Sequence, residues 1–233
     1  MNEMELTILM PCLDESKSLA FCIKEAQRYI HTSGVSAEIL IADNNSTDGS
    51  REIAADCGAH VVVISERGYG NALMGGIRAA RGKYVLIGDC DGSYDFSQAD
   101  EFLQKLRAGF SLVVGNRYLG GIEKHAMPFL HRRIGVPLLS MLGRWRYKVK
   151  IGDFHCGLRA FHRQTALSLD LQCGGMEFAT ELIGRFADAG EPICEIPTVL
   201  RCDRRGGHSH LKTISDGWRH LQLILLHNGR KDR

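Results

Sequence analysis

Residues 84–91 read Tyr-Val-Leu-Ile-Gly-Asp-Cys-Asp: a short apolar run, a glycine, then two carboxylates one residue apart. A brief apolar run of this kind, closed by turn residues, has the pattern of a strand buried on both faces of a parallel sheet. In the loop beyond such a strand, alternate residues can aim two carboxylates at one ion. Oxygen-only ligation suits a hard cation such as Mg²⁺ or Mn²⁺, which keeps waters and takes phosphate oxygens for its remaining positions. Two carboxylates so close repel one another if nothing lies between them. Asp89 and Asp91 are therefore the candidate metal ligands, with Asp91 at the centre of the chemistry.

The same unit, strand then polar loop then helix, recurs on the N-terminal side. Leu6–Met10 reads as a strand followed by Asp14-Glu15, and Ser16 to Ile30 as a helix with Leu19, Cys22, Ile23, Ala26 and Ile30 on one face. Glu38–Ala42 reads as a strand followed by Asp43-Asn44-Asn45-Ser46, then a helix over Asp48 to Cys57 stopped by Gly58. Val61–Ile64 is a strand followed by Glu66-Arg67-Gly68-Tyr69-Gly70, with a helix over Asn71–Arg81 stopped by Gly82. Beyond Tyr84–Gly88, Ser97 is placed to cap a helix ending near Ala108, and Leu112–Gly115 is a fifth strand leading into Asn116-Arg117. The alternation predicts an α/β fold, a mainly parallel sheet with helices on both faces. Ligands of such sheets bind at the carboxyl ends of the strands, where all five polar loops fall.

Gly68-Tyr69-Gly70 begins like a dinucleotide fingerprint, but Leu73 stands where a third glycine belongs and the run follows the third strand rather than the first. The tight turn is read instead as letting backbone approach a nucleotide or the neighbouring loop, which puts Gly70 in the donor-binding set.

After residue 120 the rhythm changes. Lys124–Lys150 holds seven Lys or Arg and no acid, interleaved with large apolar residues from Met127 to Trp145. That composition fits an element resting on an anionic membrane surface. Gly175–Ala189 and Ile214–His227 read as helices and Ile193–Leu200 as extended chain. One domain is expected over 1–233, with nucleotide-sugar and metal binding in 1–120 and acceptor-side elements in 121–233.

A formal net charge of +2 argues against nucleic-acid binding. The eight cysteines include no CxxC pair and read as reduced thiols. His155-Cys156 and His208-Ser209-His210 match no standard zinc spacing. The N-terminus carries acids and only a short apolar run, and no window approaches the roughly 18 apolar residues of a membrane span. A cytoplasmic protein is expected, peripheral on the cytoplasmic membrane face if it meets a membrane.

An ordered series of motifs resembles family 2 glycosyltransferases, specifically the dolichyl- and polyprenyl-phosphate hexose (mannose or glucose) synthase branch. It comprises MPCLDE (10–15), IADNNSTDGS (41–50), GYGNA (68–72), DCDGS (89–93), VGNRYLGG (114–121), GDFHCGLRAF (152–161), GMEFATEL (175–182) and RRGGHSHL (204–211). The resemblance implies a GT-A (Rossmann-like) fold, a UDP- or GDP-sugar donor, a divalent metal and inversion at the anomeric carbon. It implies that Pro11, Leu13, Glu15 and Asp43 line the donor nucleotide. It further implies that Asp89 and Asp91 hold the metal, and that Arg117, Arg132 or Arg133, Arg159 and Arg204 face donor or acceptor phosphates. Ser209 and His210 fall in the tail motif on the acceptor side. Ser93 stands where the branch often has Gln, and His210 where it often has Lys. The branch usually continues into transmembrane helices, whereas here 12 residues follow Leu221.

The expected activity is transfer of a hexose to polyprenyl phosphate. A phosphate acceptor is already an anion and needs no general base. A small-molecule hydroxyl acceptor does, and Glu181 or Glu177, about one helical turn apart, would then serve. A sugar nucleotidyltransferase also uses paired carboxylates on an α/β sheet, but its glycine-rich basic loop after the first strand is absent from MPCLDES.

Overall fold

The computed structural model describes residues 4–205 and 213–226. Its first half follows the predicted alternation: β1 (Leu6–Cys12), α1 (Leu19–Ser33), β2 (Ala37–Asp43), α2 (Ser50–Asp56), β3 (His60–Val63), α3 (Tyr69–Ala79), β4 (Tyr84–Ile87), α4 (Ala99–Arg107) and β5 (Leu112–Asn116). β1 is buried along its whole length, as its continuous apolar run requires of a central strand. The cap expected of Ser97 belongs to Asp95, whose carboxylate accepts the Ser97 N–H at 2.9 Å and starts a 3₁₀ turn leading into α4.

The second half supplies α5 (Arg117–Gly120), a π-helical turn (His131–Gly135), α6 (Val136–Tyr147), β6 (Arg159–His162), α7 (Arg163–Ser168), α8 (Phe178–Asp188), β7 (Ile193–Pro197) and α9 (Thr213–Leu226). The seven strands form one sheet in the order β3-β2-β1-β4-β6-β5-β7. All neighbours are parallel except β6, which runs antiparallel to both β4 and β5. β6 is an addition to the sequence reading. Its four residues are too few to show a period, and the first is a charged arginine that the sheet nevertheless buries.

Register brings the polar loops level. Cys12 pairs with Asp43 at the ends of β1 and β2, and Leu9 pairs with Ile87, two residues before Asp89. The antiparallel β6 delivers its beginning, rather than its end, to the same edge: Arg159 lies opposite Ile87. The 152–158 loop therefore enters the site from the side opposite the β1 and β2 loops. No helix among the described residues is long and apolar enough to cross a membrane.

Candidate active site

The loops after β1 and β2 are tied to each other before any ligand arrives. Asp14 accepts the Thr47 N–H at 2.7 Å, Ser50 Oγ accepts the Glu15 N–H at 2.9 Å, and Asp48 accepts the Ser16 N–H at 2.9 Å. Asn44 joins a third loop to them, donating to the Ile64 and Glu66 carbonyls and accepting the Gly68 N–H at 2.7 Å. Asp43 is fully buried; its carboxylate accepts the Ser46 N–H and lies 3.4 Å from Arg51. Pro11 is buried, its carbonyl accepting the Cys90 thiol at 3.0 Å, and Leu13 is half-buried beside it.

Asp89 and Asp91 leave β4 into the space these loops enclose. Asp89 accepts the Tyr69 hydroxyl at 3.2 Å, and Asp91 accepts the Ser93 N–H at 2.9 Å. Burial, and next the charge of Asp91, pushes the Asp89 carboxyl up to about 6. Glu15 joins them: burial pushes it up to about 7, against the pull of a guanidinium, that of Arg205. Arg205 Nη2 lies 3.0 Å from Asp91 Oδ2 and its Nη1 3.2 Å from Glu15 Oε1. Only a glycine leaves room at 157, because a Cβ there would overlap Asp89 Oδ2 and meet the Tyr94 ring at 2.9 Å.

These groups fit a divalent cation. The donors are hard carboxylate oxygens, crowded enough to repel and already drawn to one positive charge. Among the described residues no three side chains assemble a complete metal cage. A hard cation of this kind needs only one or two carboxylates when substrate phosphates and water complete its coordination.

Several expected site residues have other partners. Arg117 does not face open space: its Nε and Nη2 reach Asp153 at 2.7 and 2.9 Å, and both residues are buried. Arg159 is buried too, its guanidinium donating to the carbonyls of Cys156, Phe154 and Ala179. Gly70 lets a neighbouring loop approach closely, since a Cβ would collide with the Cys173 carbonyl and come within 3.0 Å of the Gly174 backbone. Glu181 is fully engaged, accepting the Gln172 N–H at 3.0 Å and the Cys173 N–H at 2.8 Å, with Arg185 at 3.8 Å. Glu177 Oε2 is buried without a hydrogen-bond partner. Arg204 stacks over the Phe21 ring at 3.7 Å, and it is the adjacent Arg205 that reaches the carboxylates. Arg132 and Arg133 are exposed on the π-helical turn. Ser209 and His210 lie outside the described residues.

The profile of Glycosyl transferase family 2 matches residues 7–167, most of the chain. The chain belongs to that family. The Low-salt glycan biosynthesis hexosyltransferase Agl6 of Haloferax volcanii is 34% identical over 222 residues, 95% of this chain and 53% of Agl6. The chain thus spans about half the length of that relative. The Dolichyl-phosphate hexose transferase of the same organism is 28% identical over 213 residues, 91% of this chain and 89% of the relative. Among solved structures, glucosyl-3-phosphoglycerate synthase from Mycobacterium tuberculosis in complex with phosphoglyceric acid superposes with a TM-score of 0.78 at 20% identity, covering 95% of this chain and 79% of that one. The GT-A architecture is therefore shared.

Within this family 2 framework, three residues carry the site that sequence reasoning passed over. Asp153 occupies Arg117, Asn44 laces three loops together, and Arg205 neutralises Asp91. Asp153 and Asn44 lay inside quoted motifs, yet their partners are 36 and 24 residues away and no spacing connects them.

Proposed function

We propose that this family 2 glycosyltransferase transfers a hexose, with inversion, from a UDP- or GDP-sugar to polyprenyl phosphate at a membrane surface. The observation that carries the donor half is the pairing of Arg205 with both Asp91 and Glu15, next to Asp89, at the carboxyl edge of the sheet. Asp89 and Asp91 would hold a divalent cation, which would supply Lewis-acid neutralisation of the departing diphosphate. The interlocked loops after β1 and β2 hold the nucleotide side rigid, so little reorganisation accompanies bond cleavage. The bond from C1 to the diphosphate breaks with oxocarbenium character, by analogy with glycoside cleavage. An acceptor oxygen forms its bond to C1 from the opposite face, and the nucleoside diphosphate leaves.

Glu181 argues for the acceptor. Its carboxylate accepts the backbone N–H groups of Gln172 and Cys173, so this candidate base is occupied by the fold's own hydrogen bonds. A phosphate acceptor needs none. The surface agrees: Phe129, Leu130, Ile134, Leu138, Met141 and Trp145 are all exposed along the π-helical turn and α6, with Arg132 and Arg133 exposed among them. α9, which packs on α6, adds exposed Trp218 and Leu225. Exposed apolar side chains recurring at helical spacing from Leu130 to Trp145, with arginines among them, suit an anionic bilayer. The relative named for dolichyl-phosphate hexose transfer supports the same acceptor class.

The unpartnered Glu177 Oε2 favours a second reading, transfer to a small-molecule hydroxyl with Glu177 as base. Incubating labelled UDP- and GDP-hexoses with the protein and either polyprenyl phosphate in vesicles or soluble hydroxyl acceptors separates the two. Label extracted into the lipid phase supports the first. Label found only in soluble glycosides overturns it.

A further inference from the structure

Beyond β7 the chain returns across the carboxylate pair and is pinned there. The Arg201 N–H donates to the Ser93 carbonyl at 2.9 Å and the Arg204 N–H to the Asp91 carbonyl at 2.8 Å, so 201–204 runs beside the 91–93 loop. Side chains hold that register. Arg201 forks onto Glu25 at 3.1 and 3.0 Å and donates to the Tyr94 carbonyl at 2.8 Å. The Arg204 stem would touch a Cβ at Gly92 at 2.9 Å, and its guanidinium covers Phe21. The next residue, Arg205, thereby spans Asp91 and Glu15, with Asp203 at 3.5 Å and its own Nε buried without a partner.

We infer that Arg205 is the built-in counter-cation of the donor site, occupying Asp91 and Glu15 until a divalent cation displaces it and then pairing with the donor's diphosphate. Asp91 and Glu15 are brought together here, with Asp89 near enough to Asp91 to feel its charge, and among the described residues Arg205 makes the only ion pair to Asp91 or Glu15. Arg159 is committed to carbonyls and cannot substitute. With the guanidinium on Asp91 Oδ2 and the Ser93 N–H on Oδ1, a cation arriving alone meets carboxylates already paired with a positive charge and either binds against its repulsion or gives up that charge-assisted pair without replacement. A cation arriving with a nucleoside diphosphate brings two phosphates to which a planar guanidinium is matched, and the lost pair is regained. Arg205 thus couples cation binding to donor binding, and coupling of this kind is reciprocal.

The inference rests on the divalent-cation reading of Asp89 and Asp91, and the experiment separates the two. Mn²⁺ alone is titrated into wild-type protein, Arg205→Gln and Arg205→Lys, with free Mn²⁺ followed by electron paramagnetic resonance. The titrations are repeated with UDP and with GDP, after circular dichroism confirms that each variant folds. The expected result is Mn²⁺ affinity at least tenfold higher in Arg205→Gln than in wild type without nucleotide. The enhancement of Mn²⁺ affinity by nucleotide should be at least tenfold smaller in that variant, with Arg205→Lys closer to wild type because it keeps the charge. Equal Mn²⁺ affinities in wild type and Arg205→Gln overturn the inference and leave the carboxylate site standing. Failure of every protein to retain Mn²⁺, with or without nucleotide, overturns both.

Discussion

Arg117 and Asp153 form a buried two-point ion pair, reinforced by the Arg117 N–H donating to Asp153 Oδ2 at 3.2 Å. Burial pushes the Asp153 carboxyl up, but the charge and hydrogen bonds of Arg117 outweigh it and hold the group below the ordinary carboxylate range. Removing one member of such a pair leaves the other charged and buried, which costs about 3–5 kcal/mol. Arg117→Gln should therefore lose stability on that scale in urea denaturation, while the folded protein keeps its donor affinity within threefold. Unchanged stability with a collapse of donor affinity would return Arg117 to the phosphate.

Glu181 and Glu177 should separate cleanly. Glu181→Gln places an amide group against backbone N–H donors and is expected to cost about 1–3 kcal/mol. Glu177→Gln removes the charge of a carboxylate whose Oε2 has no partner, so stability should hold and turnover with polyprenyl phosphate should stay within threefold. Steady-state assays check this. A hundredfold loss in Glu177→Gln would make Glu177 the base and favour a hydroxyl acceptor.

The exposed apolar surface of the π-helical turn and α6 differs from the basic run read in the sequence. Arg144 and Arg146 are half-buried, and Lys148 and Lys150 line an open groove that also contains Asp188 and Glu191. The exposed arginines near the apolar residues are Arg132 and Arg133. Each apolar side chain fully buried contributes roughly 1.5–3 kcal/mol, and each basic group near an anionic surface about 1 kcal/mol. Flotation with phosphatidylglycerol vesicles should show binding at low salt. Replacing Phe129 and Trp145 with Ser should weaken it more than tenfold, and replacing Arg132 and Arg133 with Gln should remove most of its salt dependence. Binding unaffected by both double changes would place the contact elsewhere.

Acid should loosen the packing of α8 and α9. His220 accepts or donates at Nδ1 to the Thr180 hydroxyl at 2.7 Å and packs against the His155 ring at 4.5 Å. Burial pulls His220 down to about 4, against the opposing charges of Glu177 and Asp216, and holds His155 well below its ordinary range. Both rings are therefore neutral in the fold, whereas the unfolded chain protonates them near 6.5. Stability is fully present above that value and is lost as pH falls from about 6.5 towards 4, by at most about 3 kcal/mol for His220. Melting temperatures across that range should fall, and less steeply in His220→Asn. An identical slope in the variant would rule His220 out as the source.

The strands before residue 120 and the carboxylate pair were readable because their signals are local: apolar runs, turn residues, and two acids one residue apart. β6 was not, because four residues led by a buried arginine carry no period. The roles of Arg117 and Gly70 depend on Asp153 and Cys173, far away in the chain. Choosing between Arg204 and Arg205 needed the register of an extended segment against the 91–93 loop, which one aromatic ring, Phe21, helps decide.

In the proposed function Asp89 and Asp91 hold the cation that lets the nucleoside diphosphate leave. The direct measurement is transfer of labelled hexose into the lipid phase by wild-type protein and by Asp91→Asn, each with Mn²⁺ and with excess chelator. Wild-type protein should transfer in Mn²⁺ alone, and transfer should fall by more than a hundredfold in chelator and in the folded Asp91→Asn protein. Transfer that persists in Asp91→Asn and in chelator would contradict it.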